Sequence, residues 1–543
     1  MRLLRPRTAT VVACLLALAF VGSAPAYAGT AHRKLAPRTH FTMAPDGSSG
    51  TTQGGEGIPN IDSVKSTVRT YYGATDPAHP GIANKTRSPY IGEMRSIVRA
   101  QWRYLDRLER HARRYHQKPA IVFDADDTTL WTYDMEDAAM HFNFDVALQD
   151  EWVQDQKFPA TPSMVGFVNQ ARKRGFKVFG LTGRSDDQKA ATIANLHKVG
   201  YQAFDDSTFF TKWTGVGSSQ QPSYITCATA KCTTVEYKAG TRKHIEKLGY
   251  DIVLNVGDQW SDLQGGYADK VLKLPNPTYY LPSPNLPGVD QPRLSPRTRF
   301  TMKADGSSGS RRDGEGIPNI DSVKSTIRTY YGATDPARPG IANKTASPYI
   351  SEVTALAARK TEKLTQACAT AKAHGRKPAI AFDADDTTLW TYDMEDGAMH
   401  FNFSPTVQDK EWVQPERFPA TPGMVDLVNK VGDAGCTIVG LTGRSDDQKQ
   451  ATLGNLAKVG YDGFTSALYF TKWTGVGASQ QPSYITCAAA KCTTIEYKSQ
   501  TRKHVADDLH YDIVANLGDQ FSDLIGGHAD RQVKLPNPTY YLP

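Results

Sequence analysis

The sequence predicts an α/β fold of the Rossmann-like kind, a mostly parallel sheet with flanking helices, present twice in the chain. Three observations carry that expectation. Short continuous apolar runs end in acidic or polar residues, as expected of strands covered on both faces. These runs alternate with helical stretches, which implies right-handed crossovers and a ligand crevice at the carboxyl ends of the strands. Finally, residues 35–282 reappear as 294–543, at an offset of 259 that grows to 261 through two single-residue insertions. Each copy is far longer than a solenoid unit and is expected to be a domain with its own core, at 29–282 and 294–543. The segment between them, 283–293 (SPNLPGVDQPR), is expected to be a semi-rigid spacer, leaving the copies as beads on one chain.

Taken in order, the first copy opens with a Gly/Ser-rich stretch, DGSSGTTQGGEG, and turns helical over 89–115. Residues 120–123 (AIVF) form the first apolar run and lead into acids. Residues 176–181 (FKVFGL) form the second, followed by Ser185-Asp186-Asp187-Gln188, an S-x-x-Q capping box opening a helix that closes near Gly200. Residues 251–256 (DIVLNV) form the third.

The 543 residues are 39% hydrophobic and 22% charged, a profile that excludes wholesale disorder. Residues 1–28 carry Arg2, Arg5 and Arg7, an apolar run over 9–21 and the small residues Ala26 and Ala28, and read as a signal peptide cleaved after Ala28. The run is shorter than the ~20 apolar residues of a spanning helix. Without this segment the formal charge falls from +7 to +4, too weak a bias for a nucleic-acid polymer as partner. The expectation is export as a secreted protein with no membrane attachment after cleavage; the oligomeric state is left open.

Every interesting polar residue falls at a strand end. Asp124 and Asp126, at i and i+2 on extended chain, can face one reacting centre and share one cation. Alone, such a pair is as readily a helix cap or a solvated turn. Leu181-Thr182-Gly183-Arg184 places a hydroxyl, a flexible glycine and a cation where a phosphate would want donors, and Asp258 and Asp262 add two carboxylates at the third strand end. Lys238 lies between them in sequence. Each has an ordinary explanation, as helix start, turn former or surface lysine, but the set in this order is hard to obtain by chance.

These motifs closely resemble those of the haloacid dehalogenase (HAD) superfamily, and within it the secreted acid phosphatases of the class B, subfamily IIIB type. The resemblance rests on FDADDT (123–128), LTGR (181–184), YKAGTR (237–242), GDQWSDL (257–263) and KLPNPTYYLP (273–282), repeated as FDADDT (382–387), LTGR (441–444), YKSQTR (497–502), GDQFSDL (518–524) and KLPNPTYYLP (534–543). Asp127 and Asp386 stand where the family usually has Glu. The resemblance implies a phosphomonoesterase in which Asp124 is the nucleophile, Asp126 the general acid and base, and Thr182 and Lys238 hold the transferring phosphoryl group. Thr128, Gly183 and Arg184 line the substrate. Mg²⁺ is held by Asp124, the backbone carbonyl of Asp126 and Asp258, with Asp262 orienting the metal shell. The second copy offers Asp383, Asp385, Thr442 and Lys498 for catalysis, Thr387, Gly443 and Arg444 for substrate, and Asp383, Asp385, Asp519 and Asp523 for metal. The partner is a small phosphate monoester.

In the resembling family an insertion at 130–162 acts as a cap, and its Trp131, Tyr133, Met135, His141, Phe142, Phe144 and Trp152 are expected mainly to pack one another. The competing readings are a phosphotransferase, nucleotidase or dehalogenase on the same fold, or a storage or binding protein marked by loss of the nucleophile; both nucleophiles are present. Six cysteines follow the leader in an exported chain, so disulfides Cys227–Cys232 and Cys487–Cys492 are expected, with Cys368–Cys436 as a third.

Overall fold

The computed structural model describes residues 38–43, 57–115, 118–289, 291, 294, 297–302 and 316–542. The expected signal peptide lies outside the described residues. The first copy contains β1 (His40–Thr42), α1 (Ile61–Tyr72), α2 (Pro89–Tyr115), β2 (Pro119–Phe123), α3 (Val146–Gln154), α4 (Met164–Lys173), β3 (Lys177–Ser185), α5 (Lys189–Lys198), β4 (Phe209–Lys212), α6 (Thr234–Lys247), β5 (Asp251–Gly257), α7 (Trp260–Leu263) and β6 (Val271–Lys273). The second repeats them as β7 (Arg299–Thr301), α8 (Ile320–Tyr331), α9 (Pro348–Ala373), β8 (Pro378–Phe382), α10 (Met424–Asp433), β9 (Thr437–Ser445), α11 (Lys449–Lys458), β10 (Tyr469–Lys472), α12 (Thr494–Asp507), β11 (Asp512–Gly518), α13 (Phe521–Leu524) and β12 (Gln532–Lys534).

Each copy holds a five-stranded parallel sheet, in the order β4-β3-β2-β5-β6 and β10-β9-β8-β11-β12. The central strand β2 shows why its run is continuously apolar. Ile121 and Phe123 face one core cluster while Ala120 and Val122 face another on the opposite side. Strand order reverses direction between β2 and β5, so the crevice opens at the carboxyl ends of these two strands. The expected helix over 89–115 and the three expected strands are present. The edge strands β4 and β6, four and three residues long, carry too little pattern to be read from sequence. The S-x-x-Q box forms in the second copy, whereas in the first Gln188 instead donates to Gln149 and Asp150.

The copies are not beads. Residues 37–543 form one compact unit, and one core cluster runs through both copies. Strands β1 and β7 pair antiparallel across them, with Phe41 opposite Phe300. Helices α1 and α8 each reach into the other copy, described below. The expected spacer lies along the first copy: Ser283 Oγ accepts from Val235 N, and Gln291 Oε1 accepts from Gly265 N. The physical reason is that α1 and α8 bury Ile61, Val64 and Val68, and Ile320, Val323 and Ile327, faces too apolar to leave in water.

All three expected disulfides are present, with Cα–Cα distances of 5.0 Å for Cys227–Cys232, 5.3 Å for Cys368–Cys436 and 4.9 Å for Cys487–Cys492. Cys368–Cys436 ties α9 to the start of β9 across a sequence separation of 68, against 5 for the others. In the chain-entropy account the long loop contributes about 4 kcal/mol and each short loop about 2 kcal/mol. Cys368→Ala with Cys436→Ala is therefore expected to lower the denaturation midpoint of the protein more than Cys487→Ala with Cys492→Ala, measured by urea titration.

Candidate active site

The site of the first copy is built where β2, β3 and β5 end. Asp124 follows β2 and its amide donates to Val256 O of β5, so the two strand ends are locked together. Asp127 adopts a left-handed φ of 45°, which turns the chain away from the strand and buries its carboxylate against the Thr132 hydroxyl at 2.5 Å. Asp126 is left facing β3, where Arg184 grips it bidentately, with Nη2 to Oδ1 at 2.5 Å and Nε to Oδ2 at 3.1 Å. Arg184 is itself fixed by Thr192 Oγ1 at 2.9 Å and by the Phe158 ring.

Lys238 enters from α6. Thr233 and Glu236 form a reciprocal capping box that sets the start of the helix, and the inward face one turn later carries the lysine. Its Nζ donates to Asp124 Oδ1 at 2.7 Å and Asp262 Oδ1 at 2.6 Å. Burial alone would discharge this ammonium, but the two carboxylates outweigh it and hold its pKa above the ordinary lysine value. The second oxygen of Asp262 accepts from Gln259 N at 2.9 Å. Gly257 makes that close approach possible, since a methyl group there would run into the Asp262 side chain.

Asp258 is satisfied from several sides. Its Oδ2 accepts from Asn276 at 2.8 Å, Gln259 at 2.9 Å and the Tyr279 hydroxyl at 3.0 Å, and its Oδ1 from Thr128 at 3.2 Å. Asp124, Asp258 and Asp262 offer oxygens that all lie within 4.8 Å of one another, and Asp383, Asp519 and Asp523 repeat the cluster. Against these carboxylates the site sets the Lys238 ammonium directly and Lys273 at longer range. Burial pushes Asp124 well above the usual carboxylate range, with Lys238 opposing, and burial followed by Asp262 pushes Asp258 up to about 6. Asp127 is pushed up to about 8, chiefly by burial and then by Asp258. A centre that buries this much negative charge on oxygen donors is chemically suited to a hard divalent cation.

The remaining expected residues fall as follows. Thr182 is fully buried and its Oγ1 accepts from Arg184 N at 3.2 Å, while Gly183 is exposed with open space around it. Thr128 lies on Asp258 and Arg184 on Asp126. In the second copy Lys498 bridges Asp383 at 2.7 Å and Asp523 at 2.6 Å, Arg444 grips Asp385 at 2.6 Å, Arg444 N donates to Thr442 at 3.2 Å, and Thr387 lies 3.4 Å from Asp519. Gly443 has the same open surroundings as Gly183. In the cap, Trp131, Tyr133, Met135 and Phe142 are packed away, whereas Phe144 is 70% exposed.

Sequence reasoning did not assign Asn276, Tyr279 or Arg242 to the site, although all three lie within motifs that recur in both copies. Arg242 is completely buried and donates to the carbonyls of Asp262, Gln264 and Gly266, holding the loop that presents Asp262. Glu136 was also missed; its carboxyl is buried near Asp127 and Asp126, and burial raises its pKa well above the usual value.

The model of the HAD superfamily, subfamily IIIB (acid phosphatase) matches residues 82–282 and 337–543. The chain is 35% identical over 170 residues to a stem 28 kDa glycoprotein of Glycine max, covering 31% of this chain and 61% of that protein. It is 30% identical over 190 residues to acid phosphatase 1 of Solanum lycopersicum, covering 33% and 68%. A class C acid phosphatase from Bacillus anthracis with tungstate bound aligns at 22% identity with a TM-score of 0.29, over 36% of this chain and 81% of that one. The chain spans between about half and about three fifths of the length of the first curated relatives it matches. With the family model matched across both copies, over well more than half of its residues, the chain belongs to the HAD superfamily, subfamily IIIB (acid phosphatase).

Proposed function

We propose that the protein is a secreted, Mg²⁺-dependent phosphomonoesterase that works through an aspartyl-phosphate in each of its two copies. The observation that carries this reading is the triad of Asp124, Lys238 and Asp262 at hydrogen-bond distance beneath the Arg184–Asp126 pair, repeated in the second copy. Asp124 attacks phosphorus and forms the acyl phosphate while the ester P–O bond breaks. Asp126, protonated on Oδ2 once Arg184 keeps only its Oδ1, gives that proton to the departing alkoxide and later takes one from the water that releases phosphate. Arg184, so placed, is better suited to aiming Asp126 than to lining the substrate. Lys238 and Thr182 stand beside the transferring oxygens. Asp124, Asp258 and the Asp126 carbonyl are the groups that would hold the cation, which when bound neutralises the phosphate dianion against the attacking carboxylate. Asp262, which accepts from the Lys238 ammonium at 2.6 Å and the Gln259 amide at 2.9 Å, orients Lys238 beside the cation's carboxylates.

Secretion is supported by the arginine-led apolar leader and by the three disulfides; among the described residues no helix is long and apolar enough to cross a membrane. The retained nucleophiles Asp124 and Asp383 speak against a storage role. The test is hydrolysis of p-nitrophenyl phosphate. Activity is expected to fall to background in excess EDTA and to return on adding Mg²⁺; full activity in the chelator would overturn the metal-dependent reading. Added glycerol distinguishes the phosphotransferase, which would form glycerol phosphate in excess of free phosphate.

A further inference from the structure

The tail at 273–282 is the segment that steadies Asp258, yet it cannot be held by a regular ladder. Pro275, Pro277 and Pro282 have no amide hydrogen, and its carbonyls need donors from elsewhere. Gln259 of the same copy donates to Tyr279 O at 3.3 Å and Lys273 to Leu274 O at 2.7 Å, and the remaining donors come from the other copy. Asn319, the residue capping α8, donates its Nδ2 to Tyr279 O at 2.7 Å and to Asn276 O at 3.2 Å. Ile320 N, one of the amides that a helix start leaves unpaired, donates to Pro277 O at 2.9 Å. Asp321 Oδ2 accepts from Tyr280 N at 3.2 Å. The residues thus held by their backbones are the ones whose side chains meet Asp258: Asn276 at 2.8 Å and Tyr279 at 3.0 Å.

The arrangement is reciprocal. Asn60 donates to Tyr540 O at 2.6 Å and Asn537 O at 3.2 Å, Ile61 N to Pro538 O at 2.9 Å, and Tyr541 N to Asp62 Oδ2 at 3.2 Å. Asn537 in turn donates to Asp519 at 2.7 Å. One turn further along, Lys324 of α8 donates to Phe142 O and to Asn143 Oδ1 in the cap of the first copy, and Lys65 of α1 donates to Phe401 O and Asn402 Oδ1 in the cap of the second. A buried ammonium carried in from the opposite copy therefore ties down each cap turn.

We propose that Asn319 and Asp321 of the second copy are positioning residues for Asp258 of the first, and Asn60 and Asp62 of the first for Asp519 of the second, so that each metal site holds its ligands within its own copy but is braced from the other. This rests on the reading of Asp258 and Asp519 as metal carboxylates. The coupling is through position: Asn319 touches neither metal nor substrate, and its loss lets the tail drift, which loosens the donors on Asp258 and misdirects the carboxylate. Side chains that contact a ligating group directly change metal affinity 10- to 100-fold. One step further out, a loss of roughly 3- to 10-fold is expected by the same reasoning.

The test uses the full chain with the second copy silenced by Asp383→Asn, so that activity reports the first copy, and Mn²⁺ binding is read as the change against the same Asp383→Asn chain without the second substitution. Asn319→Asp keeps the oxygen that caps α8, which accepts from Asp321 N at 3.0 Å, but replaces the Nδ2 donor with an oxygen facing two carbonyls. Asn319→Ser, which also keeps a capping oxygen without the amide donor, serves if the first variant fails to fold. Mn²⁺ binding followed by electron paramagnetic resonance is expected to weaken by about that factor, the Mg²⁺ needed for half-maximal hydrolysis to rise in parallel, and kcat at saturating Mg²⁺ to stay within about twofold. In the Asp124→Asn background, Asn60→Asp should do the same to the second copy. Unchanged Mn²⁺ affinity and an unchanged Mg²⁺ requirement of the reporting copy overturn the proposal and leave the phosphatase reading standing. Absence of Mn²⁺ binding in the parent protein overturns the metal reading and this proposal together.

Discussion

The double variant Asp124→Asn with Asp383→Asn is expected to lose hydrolysis of p-nitrophenyl phosphate by a factor on the order of 10⁴ or more, as when a covalent nucleophile is removed from an otherwise intact site. Each single variant should retain the turnover of the other copy, because each copy carries its own nucleophile, lysine and acid and no catalytic side chain crosses between them. The brace from α1 and α8 does not alter this expectation, since it acts through backbone carbonyls of the tails and not through Asp124 or Asp383. The residual fractions need not match: Trp260 and Ala239 in one copy stand where Phe521 and Ser499 stand in the other. The measurement is kcat for wild type, both singles and the double, with circular dichroism to show that each is folded. A single substitution that silences the whole protein would show that one copy is inert or that the chemistry itself is shared.

Asp126→Asn, made in the Asp383→Asn background, should cost about 10²- to 10⁴-fold on alkyl phosphates and clearly less on p-nitrophenyl phosphate, whose leaving group needs little protonation. The geometry supports the separation of roles. The Asp126 side chain keeps 26% exposure against 8% for Asp124, so a leaving group can reach it, and the Arg184 grip fixes its direction. Asparagine is nearly isosteric and keeps the backbone carbonyl, so the metal requirement should be unchanged. Equal losses on both esters, with dephosphorylation shown by burst kinetics not to limit either, would remove Asp126 as the acid.

How much of this was legible from sequence varies with how local the cause is. The strands β2, β3 and β5 could be read because a strand buried on both faces must be continuously apolar, and the site acids because they terminate those strands where a doubly covered parallel sheet leaves its crevice. The edge strands could not, since Phe209–Lys212 and Val271–Lys273 are short and only partly buried. The cap aromatics were expected mainly to pack, and Trp131, Tyr133, Met135 and Phe142 are buried; what the sequence did not show is that part of their partner surface comes from outside the cap, where Tyr72 of α1 stacks on Tyr133 at 4.0 Å.

By itself the sequence determined the duplication, the α/β class, the two short-loop cysteine pairings and the set of acids, lysine and threonine at the strand ends, all of which follow from pattern, spacing or motif along a single stretch of chain, whereas Cys368–Cys436, at a sequence separation of 68, was settled by the fold. Only the tertiary structure decided that Arg184 aims Asp126, that Arg242 spends its guanidinium on three carbonyls of the Asp262 loop, and that each proline-broken tail is finished by the opposite copy's helix. The reason is that a backbone carbonyl carries no sequence signal of its own. Which donor satisfies it depends on what the fold brings within about 3 Å, and for residues 40 positions apart, as with Tyr279 and Asn319, or 480 apart, as with Asn60 and Tyr540, that proximity is set by burying the apolar faces of α1 and α8 between the copies.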